Sequence, residues 1–401
     1  MEERKVKIRV EGVYKIFGRH PEKARELIKQ GVSKDDILEK TGQAVGVADA
    51  SFDVYEGETL VIMGLSGSGK STLVRCINRL IEPTYGTVTI DGVDITKMNE
   101  EELREVRRKK FGMVFQSFAL FPHRTVIENA EFGLEIQGVP LEERRPKAQA
   151  ALEQVGLGGW EEYYPENLSG GMKQRVGLAR AMAIEPDVLL MDEAFSALDP
   201  LIRADMQDEL LSLESQVHKT ILFITHDLDE ALKMGDRIVL MKDGRVVQIG
   251  TPEEILSNPA NAYVAKFVEN VDRSKVLTAE DVMVKARPVA FVKDGPRVAL
   301  KAMTEAGHSG IYIVRQNYEL VGYMSAEQAA EAVKRGDSWL DHIFTLDQVP
   351  TTLPDVPVRD LFGPLSDKSW PVAVVNEKNI LKGVIVRGSV FAALSEGGSD
   401  E

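Results

Sequence analysis

Residues Gly64-Leu65-Ser66-Gly67-Ser68-Gly69-Lys70-Ser71 follow an unbroken apolar run, Leu60-Val61-Ile62-Met63, and lead into a helical pattern. A strand apolar throughout is one covered on both faces, as in a parallel sheet. The glycines let backbone N–H groups turn inward around phosphate oxygens, and the helix that follows presents its positive end. Lys70 supplies a point charge, and Ser71 offers a hydroxyl to Mg²⁺. The stretch predicts a phosphate-binding loop in an α/β domain.

A second apolar run, Val188-Leu189-Leu190-Met191, ends on two carboxylates, Asp192 and Glu193. In a doubly wound sheet they emerge beside the phosphate loop. One suits Mg²⁺; the next suits orienting and deprotonating a water. Between the two runs stands Leu168-Ser169-Gly170-Gly171-Met172 at the start of another helical pattern. That is a second phosphate-ready nest. One nucleotide does not need two nests from one chain. The economical arrangement gives the second nest to a nucleotide held by another copy, across a two-fold interface.

Working outward, Val6 to Val13 alternates as a half-buried strand. Residues 19–43 then read as an inserted helical hairpin, its first helix placed after Pro21 and its second capped by Ser33 facing Asp36. Ile221-Leu222-Phe223-Ile224 is another buried strand, and Asp91-Gly92 and Asp243-Gly244 mark hairpin turns. Beyond Asp272 a repeat appears at a constant offset of 61 positions: Ile311–Val314 matches Val372–Val375, Leu320 matches Leu381, and Gly322 matches Gly383. Each unit reads helix, strand, tight turn, strand, helix, and two such units are expected to pack on each other. The acidic end, Ser395 to Glu401, is expected to be disordered.

Composition bounds the rest. With 401 residues, 43% apolar and 28% charged, the chain has core material for two or three folded units. A net charge of −14 argues against nucleic acid as the main partner. The single cysteine, Cys76, excludes an intrachain disulfide framework and suits a reducing compartment. Met1-Glu2-Glu3-Arg4-Lys5 lacks the apolar stretch of a signal peptide. No segment approaches the roughly 20 apolar residues of a spanning helix. A soluble, intracellular protein that meets a membrane only through partners is expected.

In order along the chain, these motifs resemble those of the ATP-binding cassette (ABC) ATPases, over about residues 6–270. Walker A falls at 64–71, a Q-loop at Gln116, the signature at 168–172 and Walker B at 188–193. A D-loop, Ser196-Ala197-Leu198-Asp199, and a switch histidine, His226, complete the set. Met172 departs from the usual Gln; Ser169 and Gly171 are kept. The resemblance implies a P-loop domain with an antiparallel β subdomain and a helical subdomain. ATP and Mg²⁺ would be bound by Gly64, Ser66, Gly67, Ser68, Gly69, Lys70, Ser71 and Thr72, with Asp192 and Gln116 also reaching the metal. Ser169, Gly170, Gly171 and Asp199 would serve the nucleotide across the dimer. Glu193, His226 and Gln116 would be catalytic. Phe17 would stack on adenine, with Tyr14 as rival and a core aromatic as the plain alternative. Phe118, Leu120 and Phe121 are candidates for a groove receiving a helix of the membrane subunit, or simply core.

The hairpin at 19–43, the stretch from Met182 to Arg203 and the C-terminal repeat look like the ATP-binding subunits of glycine betaine/L-proline importers, in which the repeat resembles tandem CBS domains. This implies an ATPase domain over 1–272, a CBS pair over 273–395 and a tail at 396–401. A homodimer at the cytoplasmic face of the inner membrane would drive permease subunits fed by a substrate-binding protein or domain. An importer of another amino acid or small solute is the alternative. The CBS ribose signature reads Gly322-Tyr323-Met324-Ser325-Ala326-Glu327-Gln328 and Gly383-Val384-Ile385-Val386-Arg387-Gly388-Ser389. Both copies lack the final Asp, which leaves cyclic di-AMP, ionic-strength sensing or plain dimerisation open.

Overall fold

The computed structural model of the chain describes residues 4–217, 219–269, 271–340, 344, 349–367 and 370–395. It separates into two compact units, one up to Val268 and one from Glu269 on. The expected acidic tail at 396–401 lies outside the described residues.

The first unit opens with β1 (Val6–Phe17), the helical pair α1 (Pro21–Lys29) and α2 (Lys34–Thr41), and β2 (Ala44–Tyr55). Next come β3 (Thr59–Met63), α3 (Lys70–Ile77), β4 (Tyr85–Ile90), β5 (Val93–Asp94), α4 (Glu100–Lys110) and β6 (Phe111–Phe115). A helical stretch follows: α5 (Val126–Ala130), α6 (Phe132–Ile136), α7 (Leu141–Gln154) and α8 (Gly170–Ala183). The chain returns through β7 (Val188–Asp192), α9 (Pro200–Val217), β8 (Thr220–Thr225) and α10 (Leu228–Met234). It finishes with β9 (Arg237–Lys242), β10 (Arg245–Gly250), α11 (Pro252–Ser257) and α12 (Ala262–Val268).

Two sheets result. One is antiparallel, ordered β2-β1-β4-β5; the other is ordered β10-β9-β3-β8-β7-β6 and is parallel apart from β10. One core joins them: Ile8, Val10 and Val54 from the first sheet, Leu60, Ile62, Leu190 and Leu222 from the second, and Leu73, Val74, Cys76 and Ile77 of α3. The helix behind the phosphate loop is therefore part of the core. All of β3 is buried, and each such apolar side chain contributes about 1.5–3 kcal/mol. β1 runs four residues past the expected Val13, because Gly12, at φ 54°, forms a bulge from which the strand continues to Phe17. Pro21 opens α1, and the Ser33 hydroxyl accepts from the Asp36 N–H at 3.2 Å to start α2.

The second unit contains α13 (Ala279–Val282), β11 (Val289–Phe291), α14 (Pro296–Ala306), β12 (Gly310–Val314), β13 (Leu320–Ser325) and α15 (Ala326–Arg335). Its second half has β14 (Thr351–Thr352), α16 (Phe362–Asp367), β15 (Val372–Val375), β16 (Leu381–Ile385) and α17 (Arg387–Ser395). The hairpins β12–β13 and β15–β16 share the same register irregularity, between Ile313 and Val314 in one and Val374 and Val375 in the other. Two features lie beyond the sequence reading. Each half begins with a short strand paired in parallel, β11 to β12 and β14 to β15. The leading helix of the second half is split into a 3₁₀ turn at Val358–Leu361 and α16.

Lys7 of β1, 7% exposed at its side chain, bridges Asp91 at 2.8 Å and Asp187 at 3.2 Å, and Lys110 binds the same two carboxylates. The cluster ties β1 to the ends of β4 and α4 and to the entry of β7. Burial alone would raise both carboxyls; the two ammonium groups outweigh it and hold them below the usual range. Carboxyls so depressed add stability that is full above the unfolded pKa of about 3.9 and is lost as pH falls from there through the lower folded-state value. Thermal melts should therefore be flat down to about pH 5 and fall steeply below about pH 4. Asp187→Asn should start lower and fall less steeply. Parallel pH profiles for the two proteins would remove this cluster from the acid response.

Candidate functional site

Strand register brings the functional positions to one edge. Met63 pairs with Thr225, Ile224 with Asp192, and Asp192 with Phe115. The residues that follow, the loop from Gly64, His226, Glu193 and Gln116, all leave the sheet at its carboxyl end. The Ser71 hydroxyl donates to Asp192 Oδ1 at 3.0 Å, and Arg75 stands 3.8 Å from the same carboxylate. His226 Nδ1 lies 3.3 Å from Glu193 Oε2. Glu193 itself sits at φ 48°, with its N–H donating to the Ile224 carbonyl at 3.0 Å and its carbonyl accepting from the Ser196 hydroxyl at 2.9 Å. Gln116 is exposed at the end of β6.

The loop is braced from outside. Lys70, 5% exposed, folds back to donate to the Gly64 and Leu65 carbonyls at 2.8 and 3.2 Å. Burial pushes its ammonium below the ordinary lysine range, against the pull of Glu193 and Asp192. Ser68 Oγ is buried without a hydrogen-bond partner, beside Gly64 on the side of the loop that packs on Met241 of β9. Gly67 and Gly69 take the left-handed φ values of 75° and 101°. Two contacts have no signature in the sequence: Gly244 N–H donates to the Ser68 carbonyl at 2.9 Å, and Ala48 N–H to the Gly244 carbonyl at 2.8 Å. The turn between β9 and β10 thereby props the loop.

Phe17 and Tyr14 have separated. Tyr14 is 4% exposed, packed edge-on against Tyr85 with the Arg25 guanidinium over both rings. Phe17 is 43% exposed, beside Gly46 and Thr72 at the edge of the loop, with Lys15 Nζ 5.0 Å above its ring. Of the two, only Phe17 offers a ring to a base.

The second nest lies elsewhere on the unit. Ser169 caps α8, accepting from the Met172 N–H at 3.3 Å, and Gly170 and Gly171 pack against Phe118, Leu198 and Ile202. Asp199 caps α9 through the Ile202 N–H at 3.1 Å. Arg203, unforeseen from sequence, ties the D-loop to the switch: it donates to the Leu198 carbonyl at 3.2 Å and to Asp227 at 3.4 Å. Phe118, Leu120 and Phe121 are half-buried. The Phe121 ring stacks on Phe132 at 4.5 Å under Arg124, while the Phe118 and Ala119 carbonyls are held by Arg180.

A glycine loop at the head of a buried helix, a Ser–Asp oxygen pair and a Glu–His pair at one sheet edge define a P-loop nucleotide-binding protein of the ATP-binding-cassette type. The ABC transporter family profile matches residues 47–196. The glycine betaine/carnitine transport ATP-binding protein GbuA of Listeria monocytogenes is 58% identical over 389 residues, 97% of this chain and 98% of that protein. The glycine betaine transport ATP-binding protein OpuAA of Bacillus subtilis is 58% identical over 396 residues, 98% of this chain and 94% of that protein. Among solved structures, the dimeric post-hydrolysis state of the ATP-binding cassette MJ0796 bound to ADP and Pi matches at TM-score 0.52. It is 32% identical and covers 61% of this chain and 98% of that one. The chain belongs to the ATP-binding proteins of ABC transporters. It is an ATPase subunit, and no helix among the described residues is long and apolar enough to cross a membrane.

A Cβ on Gly69 would stand 2.2 Å from the Gly46 carbonyl oxygen in a left-handed backbone. Gly69→Ala should cost about 1–3 kcal/mol of stability and displace the start of α3. Chemical denaturation combined with ATP titration should show both losses together. Unchanged ATP binding in a stable variant would mean the loop tolerates that shift.

Proposed function

We propose that the chain energises import of glycine betaine and related osmoprotectants by hydrolysing ATP. The observation that carries the reading is identity of 58% along nearly the whole length to transport proteins named for that solute, with the Glu193–His226 pair kept within 3.3 Å. Residues 64–72 bind the triphosphate, and Phe17 takes the base. Ser71 and Asp192, two oxygen donors 3.0 Å apart, suit a hard divalent cation such as Mg²⁺, with Gln116 as a third donor. Bound there, the ion neutralises charge on the β- and γ-phosphates.

Glu193 orients a water and takes its proton as the water oxygen bonds to the γ-phosphorus. The bond to the ADP oxygen breaks, and His226 holds the departing phosphate. Ser169, Gly170, Gly171 and Asp199 act on the nucleotide of the second subunit, so that the working unit is a dimer. Dimer closure drives the permease subunits, to which a substrate-binding protein or domain delivers the solute, at the cytoplasmic face of the membrane. The segment around Phe118, Leu120 and Phe121 receives a permease helix.

In this reading the ATPase domain spans 1–272 and a CBS pair 273–395. The repeated hairpin register of the two halves supports the second assignment. Its role is regulation, through a nucleotide such as cyclic di-AMP or through salt-screened surface charge.

Purification from membranes with its partner subunits, followed by ATP-dependent uptake of glycine betaine and proline into vesicles, tests the whole reading. ATP-driven uptake of another solute only would leave the engine and overturn the cargo. Glu193→Gln should retain ATP binding, lower turnover by about 10²–10⁴-fold and trap a dimer. Near-normal turnover would take the base role from Glu193. Removing 274–401 should leave uptake and abolish its response to salt or cyclic di-AMP; an unaltered response would end the sensor assignment.

A further inference from the structure

The phosphate loop and its carboxylates make no demand for a helical insertion at 21–41, yet one side chain of that insertion ends on the loop. Lys34, the first residue of α2, donates through Nζ to the Gly67 carbonyl at 2.9 Å. The placement is built into the fold. Ile37, one turn on, is 1% exposed and packs with Tyr14, Ile16, Ala24, Ile28 and Ala48. Arg25 of α1 lies over Tyr14 and Tyr85, and Arg245 of β10 donates to the Ile28 carbonyl. These contacts clamp the helical pair to β1, β2 and β10.

Gly67 is at φ 75°, and in a loop whose N–H groups converge on an anion its carbonyl must face elsewhere. An ammonium on that carbonyl fixes the turn and adds positive charge behind it. It does not compete with Lys70, which holds the carbonyls of Gly64 and Leu65.

We propose that Lys34 is a positioning residue of the nucleotide site: it holds the Gly67 turn of the phosphate loop and adds a second ammonium to the field that the triphosphate meets. The proposal rests on residues 64–71 being that site. It gives the inserted helices a function in the ATPase cycle.

The full-length protein is titrated with fluorescent N-methylanthraniloyl-ADP, and steady-state ATP hydrolysis is measured alongside. Lys34→Ala should weaken nucleotide affinity about three- to tenfold, the range of one hydrogen bond, and raise KM by a larger factor than it lowers kcat. Lys34→Arg should restore affinity to within about twofold. Lys40→Ala removes the same charge from the exposed face of α2 and should bind as the wild type does. The gap between Lys34→Ala and wild type should narrow from about 0.05 M to about 0.5 M salt as screening grows. Wild-type affinity in Lys34→Ala, an equal loss in Lys40→Ala, or a loss that Arg does not rescue and that tracks a lowered Tm overturns the proposal alone. If the wild type and Lys70→Ala bound the nucleotide alike, the nucleotide-site reading would fall, and this proposal with it.

Discussion

Two backbone approaches too close for any side chain hold the phosphate loop in register. A Cβ on Gly64 would meet the Met241 carbonyl oxygen at 2.3 Å, and one on Gly69 would meet that of Gly46 at 2.2 Å. Met241 belongs to β9 in the parallel sheet, Gly46 to β2 in the antiparallel one. The loop is thus the seam where the two sheets meet, and α3 behind it is buried between them. An anion-binding loop works through dipoles fixed before the ligand arrives. Here fixation comes from the whole core, so an alteration in either sheet reaches the loop through backbone contact.

That rigidity does not extend to the second nest. The sheet edge supplies phosphate cradle, Ser71–Asp192 pair and Glu193, whereas Ser169 and its glycines sit on α8, packed on α9 and Phe118. Glu193, in a left-handed conformation that costs a non-glycine residue about 1–3 kcal/mol, is held by backbone bonds to Ile224 and Ser196. Ser196 opens the D-loop, Arg203 holds its end, and Arg203 also reaches Asp227 beside His226. Glu193, the segment from Ser196 to Asp199 and Asp227 beside His226 are consequently joined in one hydrogen-bonded assembly. Any partner surface that presses on Asp199 acts on the geometry of Glu193.

How much of this could be read from sequence follows from range. The loop at 64–71 was legible because its glycines and lysine are adjacent in the chain, and β3, β7 and β8 because burial on both faces leaves unbroken apolar runs at 60–63, 188–191 and 221–224. The cap of α2 was legible because Ser33 and Asp36 are three residues apart. The brace from Gly244 to Ser68, the Lys7–Asp91–Asp187–Lys110 cluster and the Arg203–Asp227 tie were not, since each joins residues whose spacing is set only by the finished fold. Tyr14 and Phe17 show the same limit at short range. Both are aromatic and three residues apart, and the bulge at Gly12 with the packing of α1 decides which is buried.

The second unit shows a repeat acquiring meaning through exchange. Met283 and Phe344 are 61 positions apart, each in the segment leading into its own half, yet each crosses to the other. Met283 lies on Gly383 of the second half, and Phe344 on Gly322 of the first; a Cβ at either glycine would come within 2.7 and 2.4 Å of them. The tight turns exchange as well, Leu320 N–H donating to the Asn379 carbonyl and Leu381 N–H to that of Tyr318, both at 2.9 Å. α13 completes the core of the second half through Ala279 and Val282. Each half thus takes part of its packing from the other, and the two share a core of their own. Their symmetry then breaks in the shared core, where Tyr312 and Tyr323 of the first half stand at the positions that Ala373 and Val384 hold in the second, and the Tyr323 ring lies 4.9 Å from Trp370 of the second half. Large and small side chains at equivalent positions of the two halves thus make the shared core asymmetric.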